Sequence, residues 1–339
     1  MKNIVITVLM LLLPSLAMAQ GQVTRPGMAG KKATVVKPKR KNMANRKRTT
    51  NRSKRRNKYS NNRSYDSYYA DSVVYADIDS CYVDSVVYDT DIDTVAVDSA
   101  GWYDEVELTP EQRQRIIDNL VNNMVYVSGG TFTMGATSEQ GGDADDNEKP
   151  AHRVTLSSYY IGKYEVTQAE WKAVMGDNPS FCCGDDLPVE QVSWYDCQDF
   201  IHKLNSLTGK NFRLPTEAEW EFAARGGNNS RGYRYSGGNN VGSVAWYCEN
   251  SSTTNSVGTK SPNELGLYDM TCNVWEWCQD WYDSYPFLSQ INPTGAEKGA
   301  FRVFRGGCWL DDEKTCRVSC RNFSAPEDGA INVGLRLAM

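Results

Sequence analysis

Regular apolar spacing begins at Thr109. Behind Thr109-Pro110, a capping hydroxyl followed by a proline suited to a first helical turn, Ile116, Leu120 and Met124 recur at every fourth position. That spacing predicts a short amphipathic helix. Met124 to Met134 then alternates apolar and polar residues, which predicts a strand before Gly135. Capping boxes mark three further helix starts: Thr167-x-x-Glu170, Ser193-x-x-Asp196 and Thr216-x-x-Glu219. In each, a hydroxyl and a carboxylate satisfy backbone N–H groups that the helix leaves open. Trp171 and Trp220 stand one position past the box acid and are expected to pack inward, while Trp194 follows Ser193 directly. Long stretches rich in Gly, Asn and Ser run between these elements, notably 226–240 and 250–263. Such loops inside a domain need a fastener beyond backbone ladders, and buried tryptophans, disulfides or a bound metal are the candidates.

The first 108 residues lack this periodicity and divide into three parts. Residues 1–19 have the layout of a secretory signal, with Lys2, an apolar run from Ile4 to Leu13 and Ala17-Met18-Ala19 before Gln20. The run is too short to span a bilayer comfortably, and no cysteine follows that would take a lipid. An exported, soluble protein of the periplasm or extracellular space is expected. Residues 20–64 are polar and basic, and such a composition predicts disorder. Residues 65–108 are acidic, and Tyr69-Ala-Asp-Ser-Val-Val-Tyr75 recurs as Tyr82-Val-Asp-Ser-Val-Val-Tyr88. This segment reads as a linker, with strand addition to a partner's sheet edge as the alternative.

Charge sharpens that division. The net charge of −5 conceals 17 Lys and Arg in residues 2–65, which hold no acid, against 42 acidic and 20 basic residues after them. The basic 31–58 segment therefore suits contact with an anionic polymer or a membrane surface. It lacks interleaved aromatics, so no specific nucleic-acid site is expected. A protein or surface partner is the expected target of the chain as a whole.

All ten cysteines follow the leader: Cys81, Cys182, Cys183, Cys197, Cys248, Cys272, Cys278, Cys308, Cys316 and Cys320. In an exported chain they suggest disulfides of undetermined connectivity. Zinc is the weaker alternative, since no CxxC pair occurs. The only two histidines, His152 and His202, read as structural.

Several blocks follow in order: Met124-Val-Tyr-Val-Ser-Gly-Gly-Thr-Phe-Thr-Met-Gly135, Tyr164-Glu-Val-Thr-Gln-Ala-Glu-Trp171, Pro188-Val-Glu-Gln-Val-Ser-Trp194 and Arg213-Leu-Pro-Thr-Glu-Ala-Glu-Trp-Glu221. Then come Gly266-Leu-Tyr-Asp-Met-Thr-Cys-Asn-Val-Trp-Glu-Trp-Cys278, Arg305-Gly-Gly-Cys-Trp309 and Asn332-Val-Gly-Leu-Arg336. Together they resemble the formylglycine-generating enzyme family, the sulfatase-modifying factors. The resemblance implies a loop-rich α+β fold related to C-type lectin domains over residues 109–339. It also implies a site in which two cysteines bind copper and, with oxygen, oxidise a sulfatase cysteine to formylglycine. Those positions fall on Asp311 and Glu313. Cys316 and Cys320 lie close by, three residues between them, and a helical turn would put them on one face. They read as structural, with a displaced copper pair as the alternative.

The resemblance further implies calcium held by side chains of Asp269 and Glu276 and main-chain oxygens of Cys272 and Val274. Hard oxygen donors suit that ion. Cys272 replaces the family's usual glycine, which bears on the tight turn there. Trp309, Asp311, Asp312 and Glu313 are the candidate ligand-binding residues, in the segment that carries the variable surface of related binding proteins. Phosphate-loop and nucleophile-elbow motifs are absent. The leading expectation is an exported, non-oxidase binding or scaffolding module, as in cell-envelope or secretion assemblies. The alternative is a formylglycine-generating oxidase using Cys316, Cys320 and copper, so enzymatic activity stays open.

Overall fold

The computed structural model describes residues 107–339; the expected leader, the basic segment and most of the acidic repeat lie outside the described residues. All four predicted helices form with the expected caps. They are α1 (Pro110–Asn122), α2 (Gln168–Met175), α3 (Trp194–Thr208) and α4 (Glu217–Ala224), and each starts with a reciprocal box. Trp171, Trp194 and Trp220 are all buried. Trp171 stacks on Phe200 of α3, with ring centroids 4.9 Å apart, which fixes α2 against α3.

The strand predicted over Met124–Met134 is instead two strands in different sheets. The first, β1 (Met124–Val127), pairs antiparallel with β4 (Tyr159–Gly162). The second, β2 (Gly130–Met134), pairs antiparallel with β3 (His152–Leu156). At the break, side chains replace the ladder: Ser158 Oγ accepts from Gly129 N, and Asn228 Nδ2 donates to the Ser128 and Gly129 carbonyls. A period of two reports which face is buried and says nothing about which neighbour a strand takes.

A four-stranded sheet forms the other half. Its order is β8 (Arg321–Ser324), β7 (Arg302–Arg305), β5 (Trp275–Trp281) and β9 (Val333–Gly334), with β9 parallel to β5 and the other pairs antiparallel. The short β6 (Gln290–Ile291) adds in parallel to β3. Helix α4 lies at the centre, and all eight of its residues are buried, including Glu217, Glu219 and Glu221.

Three buried acids in one short helix demand paired partners. Arg321 grips both oxygens of Glu217 at 2.7 and 2.6 Å, and Arg213 grips both of Glu219 at 2.6 and 2.7 Å. Glu221 binds Arg305 and Arg225. Two further buried pairs, Arg317–Glu148 and Arg336–Glu276, repeat the device. Arginines of the last 35 residues thus reach back to acids spread from Glu148 to Glu276. These pairs, with the tryptophans, fasten the long loops. The loops also borrow side chains: Asn263 Nδ2 donates to Ala223 O and Ser236 Oγ, while its Oδ1 accepts from Leu265 N and Leu267 N. Among the described residues, no helix is long and apolar enough to cross a membrane.

Candidate functional site

The segment that leaves β7 carries most of the residues the sequence singles out. Arg305 is fully buried and donates to the carbonyls of Val318, Ser319 and Cys320 as well as to Glu221. It therefore clamps the far end of the 306–320 loop. Gly306 and Gly307 follow with φ of 105° and 80°. A Cβ on Gly307 would lie 3.0 Å from Cys272 Sγ, so only glycine lets the loop cross this close to the 269–276 turn.

Asp311 turns inward. One of its oxygens accepts from Cys308 N at 2.9 Å, and its carbonyl accepts from Cys248 N at 3.0 Å. Burial raises its carboxyl above the usual range, partly offset by hydrogen bonds from Cys308. Asp312 is spent on its own turn, accepting from Lys314 N and Thr315 N. Glu313 is exposed, as is Leu310, while Trp309 is half-buried with its Nε1 unpartnered among the described residues. The four candidate ligand-binding residues thus share one turn but not one direction, and Trp309, Leu310 and Glu313 form its outward surface.

Cys316 and Cys320 are not assembled into a pair. Residues 316–320 form turns instead of the helical turn that would align them, and the two sulfurs enter different core clusters. Cys320 is buried and its thiol is pushed up to about 12, chiefly by that burial. Cys316 instead lies beside Cys272, hydrogen-bonded through sulfur, and also donates to Asp312 O at 3.1 Å. Burial first, and then the Cys316 neighbour, holds the Cys272 thiol well above the ordinary range. Both are unbridged thiols, 0% and 1% exposed. Thiols buried and pushed up as those of Cys272 and Cys320 are make neither nucleophiles nor ready copper ligands. No sequence rule joins Cys272 to Cys316, because 43 intervening residues and a sheet crossing separate them.

The turn from Asp269 to Glu276 keeps its tight backbone despite the missing glycine. Asp269, Cys272 and Asn273 take φ of 57°, 63° and 70°, left-handed values at three non-glycine positions of the turn. Asp269 accepts from Gly258 N at 2.6 Å, and burial pushes its carboxyl up to about 6. Glu276 does not face an open site. Arg336 Nε lies 3.1 and 2.9 Å from its two oxygens, Arg336 Nη2 lies 2.7 Å from Oε1, and Trp220 Nε1 donates to Oε2 at 2.6 Å. Val274 spends its N–H on Glu165, whose other oxygen accepts from Asn273 Nδ2. Glu165 is buried and held well above the carboxylate range by burial, Asp269 and Glu276. Sequence reasoning passed over Glu165, although an acid between Tyr164 and Val166 in a block of buried residues is a visible cue. Among the described residues, no three His, Cys, Asp or Glu side chains converge as a metal site. The donor set in this arrangement does not fit calcium, because Glu276 already neutralises a guanidinium.

A domain with little regular structure, pinned by buried arginine–glutamate pairs and closed by an Arg-Gly-Gly loop, is the class that fold and site define. The sulfatase-modifying factor enzyme 1-like domain matches residues 109–339, and the chain belongs to that family. It is 34% identical over 249 residues to the chaperone protein LppX of Paenibacillus barcinonensis, covering 58% of this chain and 82% of that one. It is 29% identical over 299 residues to the formylglycine-generating enzyme of Thermomonospora curvata, covering 66% of this chain and 96% of the relative. Among solved structures, Treponema denticola variable protein 1 superposes with a TM-score of 0.58 at 32% identity, over 63% of this chain and 94% of that one.

Proposed function

We propose that this family domain is a binding or scaffolding module and not an oxidase, exported by its leader. The observation that carries the reading is the placement of Asp311 and Glu313 where the oxidases are expected to hold cysteines. Asp311 is turned inward onto Cys308, and the neighbouring thiols are buried. Recognition falls to the outward surface of the 309–313 turn, where Trp309 and Leu310 supply apolar area and Glu313 supplies charge. The described residues hold 31 acidic against 20 basic side chains, so a partner with a basic surface suits this face. Relatives named as a chaperone and as a variable protein, and not only as formylglycine-generating enzymes, are in keeping with the reading.

The test is to supply purified protein with Cu(I), oxygen and a sulfatase-type cysteine peptide, and to look for aldehyde. No aldehyde and no stoichiometric copper is the expected result. Aldehyde formation lost in Cys316→Ser would establish an oxidase with a rearranged site.

A further inference from the structure

A cavity of about 220 Å³ opens between β3, β5, the start of α4 and the 283–296 segment. It shares no lining residue with the Trp309–Glu313 turn, and the proposed function leaves it unused. We infer that this cavity binds a primary ammonium group carried on an aliphatic stem, such as a lysine side chain.

The strongest observation is His152. Its side chain lines the cavity, the residue is only 4% exposed, and Nε2 has no partner among the described residues. Nδ1 lies 3.2 Å from Pro150 O, and a carbonyl can only accept, so Nδ1 carries the hydrogen there. In the neutral ring Nε2 then presents a lone pair and calls for a donor from the ligand. A buried acceptor left unpaired costs free energy, and a donor entering the cavity recovers it.

Asp280 supplies the second contact. It is buried, and its Oδ2 accepts from Glu217 N at 2.9 Å, while no hydrogen bond within the described residues reaches Oδ1. Gly295, at φ 77°, packs so close that a Cβ there would lie 3.1 Å from that oxygen, and both residues line the cavity. Burial, then Glu217, holds the Asp280 carboxyl up to about 8, a cost that an incoming cation relieves.

Charge decides between ligand classes. Glu217 and Arg321 line the cavity but cancel through two short hydrogen bonds, and Tyr285 donates its hydroxyl to the same carboxylate. Asp283 remains, and Asp280, which keeps its proton in the empty cavity, can release it when a cation enters, so the lining suits a cation and disfavours anions. A neutral sugar would want an open ring face, and the Trp281 and Tyr285 rings each already carry a guanidinium. Arg302 covers Trp281 at 3.5 Å, and Arg321 and His152 cover Tyr285 at 4.0 and 4.9 Å. An ammonium group needs only acceptors. The volume is below that of drug-sized pockets, so it takes a head group, not a whole ligand. Phe287, Leu288 and Ile291, 89%, 78% and 78% exposed, flank the lining residues Pro286 and Gln290 and would meet the methylene stem.

Because the chain has two histidines, its imidazole signals are readily assigned, and the exposed His202 serves as an internal reference. Labelled protein is titrated with Nα-acetyl-lysine-N-methylamide, leucinamide and Nα-acetyl-norleucine-N-methylamide, following the ring nitrogens. Saturable movement of His152 alone with an amine, and none with the norleucine compound, supports the site. A response to the lysine derivative indicates a side-chain amine, and a response to leucinamide alone indicates a chain terminus. Asp280→Asn should weaken binding at least tenfold. Equal shifts with the neutral analogue, joint movement of His152 and His202, or no movement up to solubility would overturn the inference, and these readouts use the unaltered protein.

Discussion

Replacing Arg336 by leucine tests whether buried ion pairs fasten this domain. Arg336 is wholly buried and donates to both oxygens of Glu276, to Gly162 O at 2.9 Å and to Tyr268 O at 2.8 Å. Leucine would leave one carboxylate and two carbonyls without that partner, with only Trp220 Nε1 still reaching Glu276. Breaking a buried pair by removing one partner costs about 3–5 kcal/mol. Domain stability as a whole is about 5–15 kcal/mol, so about a fifth or more of it is at stake. Urea unfolding followed by tryptophan fluorescence should show a lower midpoint at unchanged slope. The double variant Arg336→Leu with Glu276→Leu should recover about 2 kcal/mol of that loss, since no charge is then stranded. A loss below about 1 kcal/mol in the single variant, or simple addition in the double one, would refute the reasoning.

Calcium at millimolar concentration should move the melting temperature by less than about 1 °C, because Glu276 is committed to Arg336; a rise of several degrees would show that a cation displaces the guanidinium. Gly307→Ala should destabilise by about 1–3 kcal/mol, given its positive φ and the Cys272 sulfur 3.0 Å from the added carbon; a chemical-denaturation midpoint equal to wild type would reject it. Asp280 retains its proton up to about 8 in the native state but only to 3.8 in the reference carboxyl. The native state therefore binds more protons, and stability falls as pH rises between those values. Asp280→Asn should flatten that decline in midpoints measured from pH 5 to 8.5, and an unchanged slope would exclude the assignment. Thr216→Ala, which removes the acceptor for Glu219 N at the head of α4, should cost about 1 kcal/mol by the same unfolding assay.

The sequence by itself determined the local elements and the family. Thr109, Thr167, Ser193 and Thr216 start helices because capping is a contact between residues three apart, wholly encoded in a short window. Ordered blocks likewise identified the fold, and the positions of Asp311 and Glu313 spoke against the expected thiol chemistry. Tertiary structure decided the rest. It split Met124–Met134 between two sheets, gave Glu276 to Arg336, and set Cys272, not Cys320, beside Cys316. It also left His152 Nε2 unpartnered among the described residues, beside a cavity, where the isolated residue reads as ordinary structure. Each of these is a contact across dozens of residues. Its energy depends on burial and on which partner the chain path brings within about 3 Å, and neither quantity is written in a local pattern.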